Sequence, residues 1–211
     1  MRAEVRRSLD AENVQVVEDA MRRSFSFLDE VLQHLKVIKP ANPVVYRLPG
    51  IGDLRDLAYG DSFVSYRTKR VADKDYCDRI ELFIVWSAAD DLVVERDMPA
   101  AAEQVRNLLW RANVRFSEDS EYGPHGNVLL TRFTIPRSVR MAITLRPDYV
   151  ERRLVLIAKN LLRTGADDFA FPAHACNDAL LDDLGRLLIG QPSDFRRYRT
   201  LLALDSWVHQ S

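Results

Sequence analysis

From Asp78 to Trp86 the chain reads Asp-Arg-Ile-Glu-Leu-Phe-Ile-Val-Trp, and this stretch limits the possible folds more than any other. Ile80, Leu82, Ile84 and Trp86 alternate with Arg79, Glu81, Phe83 and Val85, so one face is apolar throughout and the other turns apolar halfway along. Such a strand belongs in the middle of a sheet, covered on both sides for part of its length. The polar break Ser87-Ala88-Ala89-Asp90-Asp91 is short and Leu92-Val93-Val94 resumes at once, which predicts an antiparallel hairpin. Asp97 as N-cap and Pro99 in the first turn then predict a helix from Met98 to Ala112. Its Ala101, Val105, Leu108, Leu109 and Ala112 share one face and place it on the sheet.

Upstream, Val14, Val17, Met21, Phe25, Leu28, Val31, Leu32 and Leu35 recur at threes and fours, predicting a long amphipathic helix over 10–38. Glu18, Asp19, Arg22, Arg23, Asp29 and Glu30 make its wet side. Positions 14, 21, 28 and 35 also repeat every seven residues, so Val14, Met21, Phe25, Leu28 and Leu35 are candidates for a partner-binding or dimerising stripe. Pro40, Pro43, Pro49, Gly50, Gly52 and Gly60 punctuate the next segment around a short edge strand at Val44-Val45-Tyr46. Gly50-Ile51-Gly52 lacks the third glycine of a phosphate cradle and reads as a loop. Phe63 to Arg67 reads as a strand, and Thr68 to Asp75 as a charged connection.

After the central helix, Val114 and Phe116 begin a strand and 118–126 forms a long acidic turn. Leu129, Thr131, Phe133 and Ile135, then Val139, Met141, Ile143 and Leu145, alternate about Pro136-Arg137-Ser138 as a second hairpin. Residues 148–164 fit either a helix or a buried strand. Val150, Leu154, Ile157 and Leu161 on one face with Gly165 as a stop favour the helix, whereas Leu154-Val155-Leu156-Ile157 paired with Phe169-Ala170-Phe171 favours the strand. The helix is taken here. Asn177 caps a helix with Leu180, Leu181, Leu184, Leu187 and Leu188 inside, and Gly190 ends it. A last helix after Pro192 carries Phe195, Tyr198, Leu201 and Leu202. The expected fold class is α+β, one domain over 1–211, with a mostly antiparallel sheet of about five to eight strands covered by helices. Its N-terminal helix at 10–38 serves as a packing or interaction arm.

The formal net charge of −1 supplies no molecule-wide field for nucleic acid or an anionic membrane, so any such site is a local patch. Among the basic residues only Lys36, Lys39, Lys69, Lys74 and Lys159 are lysines. Arg132, Arg140 and Arg146 on adjoining strands, and Arg196, Arg197 and Arg199 near the C-terminus, are the candidate nucleic-acid contacts. Glu118, Asp119, Glu121 and His125 are the candidate metal ligands, although their spacing matches no EF-hand pattern. Cys77 and Cys176 lack paired or histidine-flanked spacing and read as reduced core residues. The charged opening Met1-Arg2-Ala3-Glu4 and the absence of a long apolar run point to a cytoplasmic protein with no membrane segment.

No nucleophile elbow, zinc-protease helix, phosphate loop or paired-cysteine ligand set is present, and no catalytic residue or cofactor is assigned. The leading expectation is a non-catalytic binding or assembly protein, with a protein partner or self-association through the first helix and a sheet edge. The alternatives are a nucleic-acid-binding module using a local arginine patch and a small metal-dependent hydrolase built on His125 and its neighbouring acids.

Overall fold

The computed structural model describes residues 2–200, with side chains from Ala11 onward. The chain opens with helix α1 (Arg2–Ile38), followed by β1 (Ala41–Asn42), β2 (Tyr46–Leu48) and β3 (Gly52–Leu54). Two long strands come next, β4 (Leu57–Val71) and β5 (Lys74–Arg96), then helix α2 (Pro99–Arg111) and strand β6 (Ser117–Tyr122). The third long strand, β7 (Val128–Asp148), leads to β8 (Arg153–Lys159), β9 (Ala166–Pro172) and helix α3 (Asp178–Leu188). Single 3-10 turns at Ala173–Ala175 and Asp194–Tyr198 flank α3, and β10 (Arg199–Thr200) follows the second.

The strands lie in the order β1, β4, β5, β7, β8, β9, β10, with β6 on the far half of β7, giving one antiparallel sheet of eight strands. β2 and β3 form a separate two-stranded ribbon. The predicted α+β class, with a mostly antiparallel sheet and a long N-terminal helix, is the observed one.

Both hairpins predicted at polar breaks are instead bends in continuous strands. Ser87 pairs with Ser138 and Asp91 with Pro136, so Ala88, Ala89 and Asp90 bulge against Arg137 while β5 and β7 stay paired to either side. A tight reversal needs residues in the left-handed region, and none of residues 87–91 has positive φ. Pro136, which has no amide to lose, sits at the irregular point. The true reversal is at Ala72 (φ 43°) and Asp73 (φ 64°), which join Val71 to Lys74 as a two-residue turn, so most of the charged 68–75 connection is strand.

Residues 153–159 form the strand β8, not the predicted helix. Leu154, Leu156 and Ala158 are buried while Val155 and Ile157 are half-buried, a period of two set by pairing with β7 and β9. The acidic turn is strand β6 up to Tyr122. The last predicted helix is only the short turn at Asp194–Tyr198, with Phe195 buried, and Leu201 and Leu202 lie outside the described residues. In α2 the N-cap is Met98 without a side-chain cap, rather than Asp97, and Ala102, Val105 and Leu109 are buried whereas Leu108 is 36% exposed. Asn177 does cap α3, its Oδ1 accepting from the Leu180 amide at 3.0 Å.

The three described helices lie on one face of the sheet. Along β7 the residues Phe133, Ile135, Val139, Met141, Ile143 and Leu145 are all buried and all share parity. The first two pack with Val105 and Leu109 of α2, and the others join the larger core with Val17, Met21, Leu28 and Leu32 of α1 and the leucines of α3. The bend at Pro136 divides these two clusters.

Candidate binding surface

With the helices on one side, the opposite face of the sheet has no layer over it among the described residues. The sequence reading that Phe83 and Val85 are covered is therefore corrected, because both are only half-buried and face outward. Register builds this face in rows. Asp61, Val85 and Arg140 form one; Phe63, Phe83, Ala142, Lys159 and Ala166 the next. Ser65, Glu81, Thr144, Ile157, Asp168 and Thr200 make the third row, and Arg67 with Arg79 begins the fourth, which Arg146, Val155 and Ala170 continue.

Its centre is apolar and aromatic. The rings of Phe63 and Phe83 stack across β4 and β5 with centroids 5.8 Å apart, and Phe63 is 49% exposed. The Arg140 guanidinium lies 4.0 Å from the Phe83 centroid, a cation over an aromatic face. Val85, Ala142, Val155, Ile157 and Ala170, each half-buried, extend the apolar area along the middle strands.

Charges surround that centre. Glu81 accepts from Arg79 Nε at 2.8 Å, with Arg67 at 3.7 Å, and the hydrogen bond from Arg79 holds its carboxyl below the usual range. Asp168, opposite Ile157, has its carboxyl pushed up by burial and by the neighbouring Asp167 charge. Two side-chain oxygens in this third row, Ser65 Oγ and Thr200 Oγ1, are buried without a hydrogen-bond partner.

The residues singled out from sequence fall as follows. Met21, Leu28 and Leu35 are buried in the chain's own core, and half-buried Phe25 packs edge-on against Tyr66 at 5.4 Å, with Val14 half-buried as well. Within this chain the stripe on α1 packs into the chain's own core. Only Arg140 and Arg146 of the six arginines share the bare face of one strand half. Arg132 lies beyond the bend, bonded to Glu95 at 2.8 Å with Glu121 at 3.7 Å. Arg199 is paired with Asp167, Arg197 stacks on Tyr198 at 4.9 Å, and Arg196 is exposed on the same turn, so no single arginine patch forms.

The metal candidates are also dispersed. Glu118 is held by Arg106 at 2.6 and 2.9 Å, Asp119 is its neighbour on a strand and points to the other face, Glu121 leans to Arg132, and His125 is exposed in the following turn. Among the described residues no three His, Cys, Asp or Glu side chains approach closely enough to hold a metal ion. No described helix is long and apolar enough to cross a membrane.

The sequence reading missed Phe63, Phe83 and Lys159 as surface residues. The signal was present in the second apolar face of 83–85, which was assigned to a covering layer. No protein-family model matches the chain, no curated protein matches it, and no solved structure matches it.

Proposed function

We propose that the protein is a non-catalytic binding protein that takes a protein partner across the bare face of its sheet. The observation that supports this reading is the Phe63, Phe83 and Arg140 stack in the middle of an apolar strip with no covering layer. Aromatic and arginine side chains grouped at the centre of a surface, with charges around them, are the composition of an interface hot spot. A bare apolar area of this kind has a partner more often than it is left to water.

The test is selection of peptides from a random library against the full chain, followed by titration of the winners. Phe83→Asp and Arg140→Glu are expected to weaken them by roughly a hundredfold, the cost of losing a central anchor. Trp110→Ala, on the opposite side of the molecule, serves as the control. Winners that ignore both face substitutions sink the proposal.

One observation favours a second reading. A guanidinium stacked on a ring, with Lys159 on the adjoining row and Arg146 further along β7, is also the equipment of a single-strand nucleic-acid platform. Labelled oligonucleotides at low salt separate the two, because binding to phosphates falls steeply as salt rises and peptide binding to an apolar strip does not. Oligonucleotide binding that is lost in Phe83→Asp and Arg140→Glu would replace the protein partner with nucleic acid.

A further inference from the structure

β4 presents a long open rim. β1 covers it only at Leu57 and Ala58, and the Tyr59 amide donates to the Pro40 carbonyl at 3.0 Å. From Gly60 to Val71 no described strand pairs with its outer side. The Ser62 amide shows which way the rim faces, since it donates to the carboxylate of Asp61 at 2.8 Å rather than to β5. By alternation Ser62, Val64, Tyr66 and Thr68 turn their backbone N–H and C=O groups outward. Exposed edges are normally blunted by a proline, a bulge, a very short strand or charged side chains. No proline or bulge interrupts β4 from Asp61 to Val71, because the irregularity near Arg67 places the extra residue, Asp78, on β5, and its exposed charges are of both signs, Asp61 against Arg67 and Lys69.

We propose that β4 pairs antiparallel with β4 of a second copy of this chain, about a two-fold axis through Ser65. The sequence of the strand is complementary to its own reverse in that register. On the bare face Asp61 meets the partner's Lys69, Phe63 meets the partner's Arg67, and Ser65 meets the partner's Ser65. On the helix-covered face Val64 meets the partner's Tyr66. Each cross-strand pair is a favourable one, charge to opposite charge, ring to guanidinium, apolar to apolar.

Neighbouring registers are poorer. Sliding two residues one way sets Phe63 against the partner's Lys69 and leaves Asp61 facing Val71. Sliding the other way keeps an ion pair between Asp61 and Arg67 but sets Phe63 and Tyr66 against serines. As the ladder forms, the partner's Thr68 carbonyl takes the Ser62 amide and frees Asp61 for Lys69. The dimer joins two sheets edge to edge and leaves both bare faces open, so it stands whether or not those faces bind a partner.

Sedimentation velocity of the full chain over increasing concentration is expected to show a monomer–dimer equilibrium. D61K and K69D, both at exposed positions, each place like charges opposite one another twice per dimer and are expected to raise the dissociation constant roughly tenfold or more. The double variant D61K/K69D restores an opposite-charge pair and with it the dimer. Ser65→Cys adds a readout independent of affinity, because facing residues of a non-hydrogen-bonded antiparallel pair stand about 4.5 Å apart at Cα, within disulfide reach. It is expected to give a cross-linked dimer under mild oxidant, whereas Ser62→Cys, about 20 Å from its own copy at 3.4 Å per residue, is not. Cys77 and Cys176 are buried and leave that readout clean. A chain that stays monomeric at high micromolar concentration overturns the proposal. So does a dimer insensitive to both charge reversals in which Ser65→Cys fails to cross-link.

Discussion

Glu18 is 5% exposed on a helix whose Glu12, Asp19 and Glu30 face water. The bulge in β5 explains its place. Arg67 pairs with Arg79 and Thr68 with Cys77, so the ladder skips a residue, and the Cys77 amide donates to Glu18 at 2.8 Å instead. The Tyr149 hydroxyl, from the β7–β8 connection, reaches the same carboxylate and lies 2.9 Å from the Cys77 carbonyl. One carboxylate therefore ties α1, β5 and the following loop together. Glu18→Ala leaves the buried Cys77 amide without its acceptor, while the Tyr149 hydroxyl keeps the Cys77 carbonyl, and is expected to cost about 1–3 kcal/mol in a denaturant titration. Glu18→Gln, which keeps one acceptor oxygen, is expected to cost less. The same cluster sets an alkaline limit. Burial pushes the Cys77 thiol from 9.0 up to about 11, partly offset by its hydrogen bond to Tyr66, and burial also raises the Tyr66 and Tyr149 hydroxyls. A folded-state pKa above the unfolded one means that the fold favours the protonated thiol. That stability is complete below about pH 9 and falls as pH rises through about 11. Thermal melts across that window are expected to show a falling Tm, with a shallower slope in Cys77→Ala than in the natural sequence. Equal slopes in the two proteins would remove the thiol from the account.

At the scale of elements, what was legible in the sequence tracked how local the signal was. The stripe on α1 and the Asn177 cap with its leucines depend on neighbours within a few residues, and both were read correctly as helices. The partners of the stripe were not legible, because a face at helical spacing looks the same whether it meets another chain or its own sheet. The bends at 87–91 and Pro136 failed as hairpins for a related reason. A polar break marks a loss of regular pairing, and only the register between two strands 40 or more positions apart decides whether the chain reverses there or bulges. The β8 segment fits both periods over its few residues, and its pairing with β7 and β9 settled the matter. The bare face was written in Phe83 and Val85, but no sequence states which side of a sheet its helices will choose. The two-residue turn at 72–73 was missed because it lacks glycine. Ala72 and Asp73 both carry positive φ, a conformation that costs an ordinary side chain about 1 kcal/mol. Ala72→Gly is thus expected to raise the Tm by a few degrees without altering the fold. A lower Tm would mean that the alanine methyl contributes more than its strain costs.

On the scale of the whole molecule the two apolar clusters are unequal. The larger spans α1, α3 and the near halves of β4, β5 and β7 with β8 and β9, and takes in Trp86, Tyr46, Phe169, Phe171 and Phe195. The smaller consists of Val94, Ala102, Val105, Leu109, Phe133 and Ile135 under α2, beyond the bend. Half-buried Ile51, Leu92 and Val114 touch both and are the apolar bridge between them. A small cluster reached through a bulge has less burial to oppose opening, so it sits at the low end of the local stability range. β6 adds little, since Ser117, Glu118, Asp119, Glu121 and Tyr122 are exposed and no described strand pairs with its outer side. Native-state hydrogen exchange is expected to follow this division. Amides of α2, β6 and the far half of β7 should exchange through a sub-global opening well before those at Ile80–Trp86 and Val139–Leu145, which exchange only on complete unfolding. Leu109→Ala, fully buried in the smaller cluster, should speed exchange in that far half and leave the near half almost unchanged. Leu28→Ala, buried in the larger cluster, should speed both, because the far half rests on strands that the near half holds in place. Uniform protection along the whole of β5 and β7 would show instead that the bend transmits stability undiminished, and the molecule would then open as one unit.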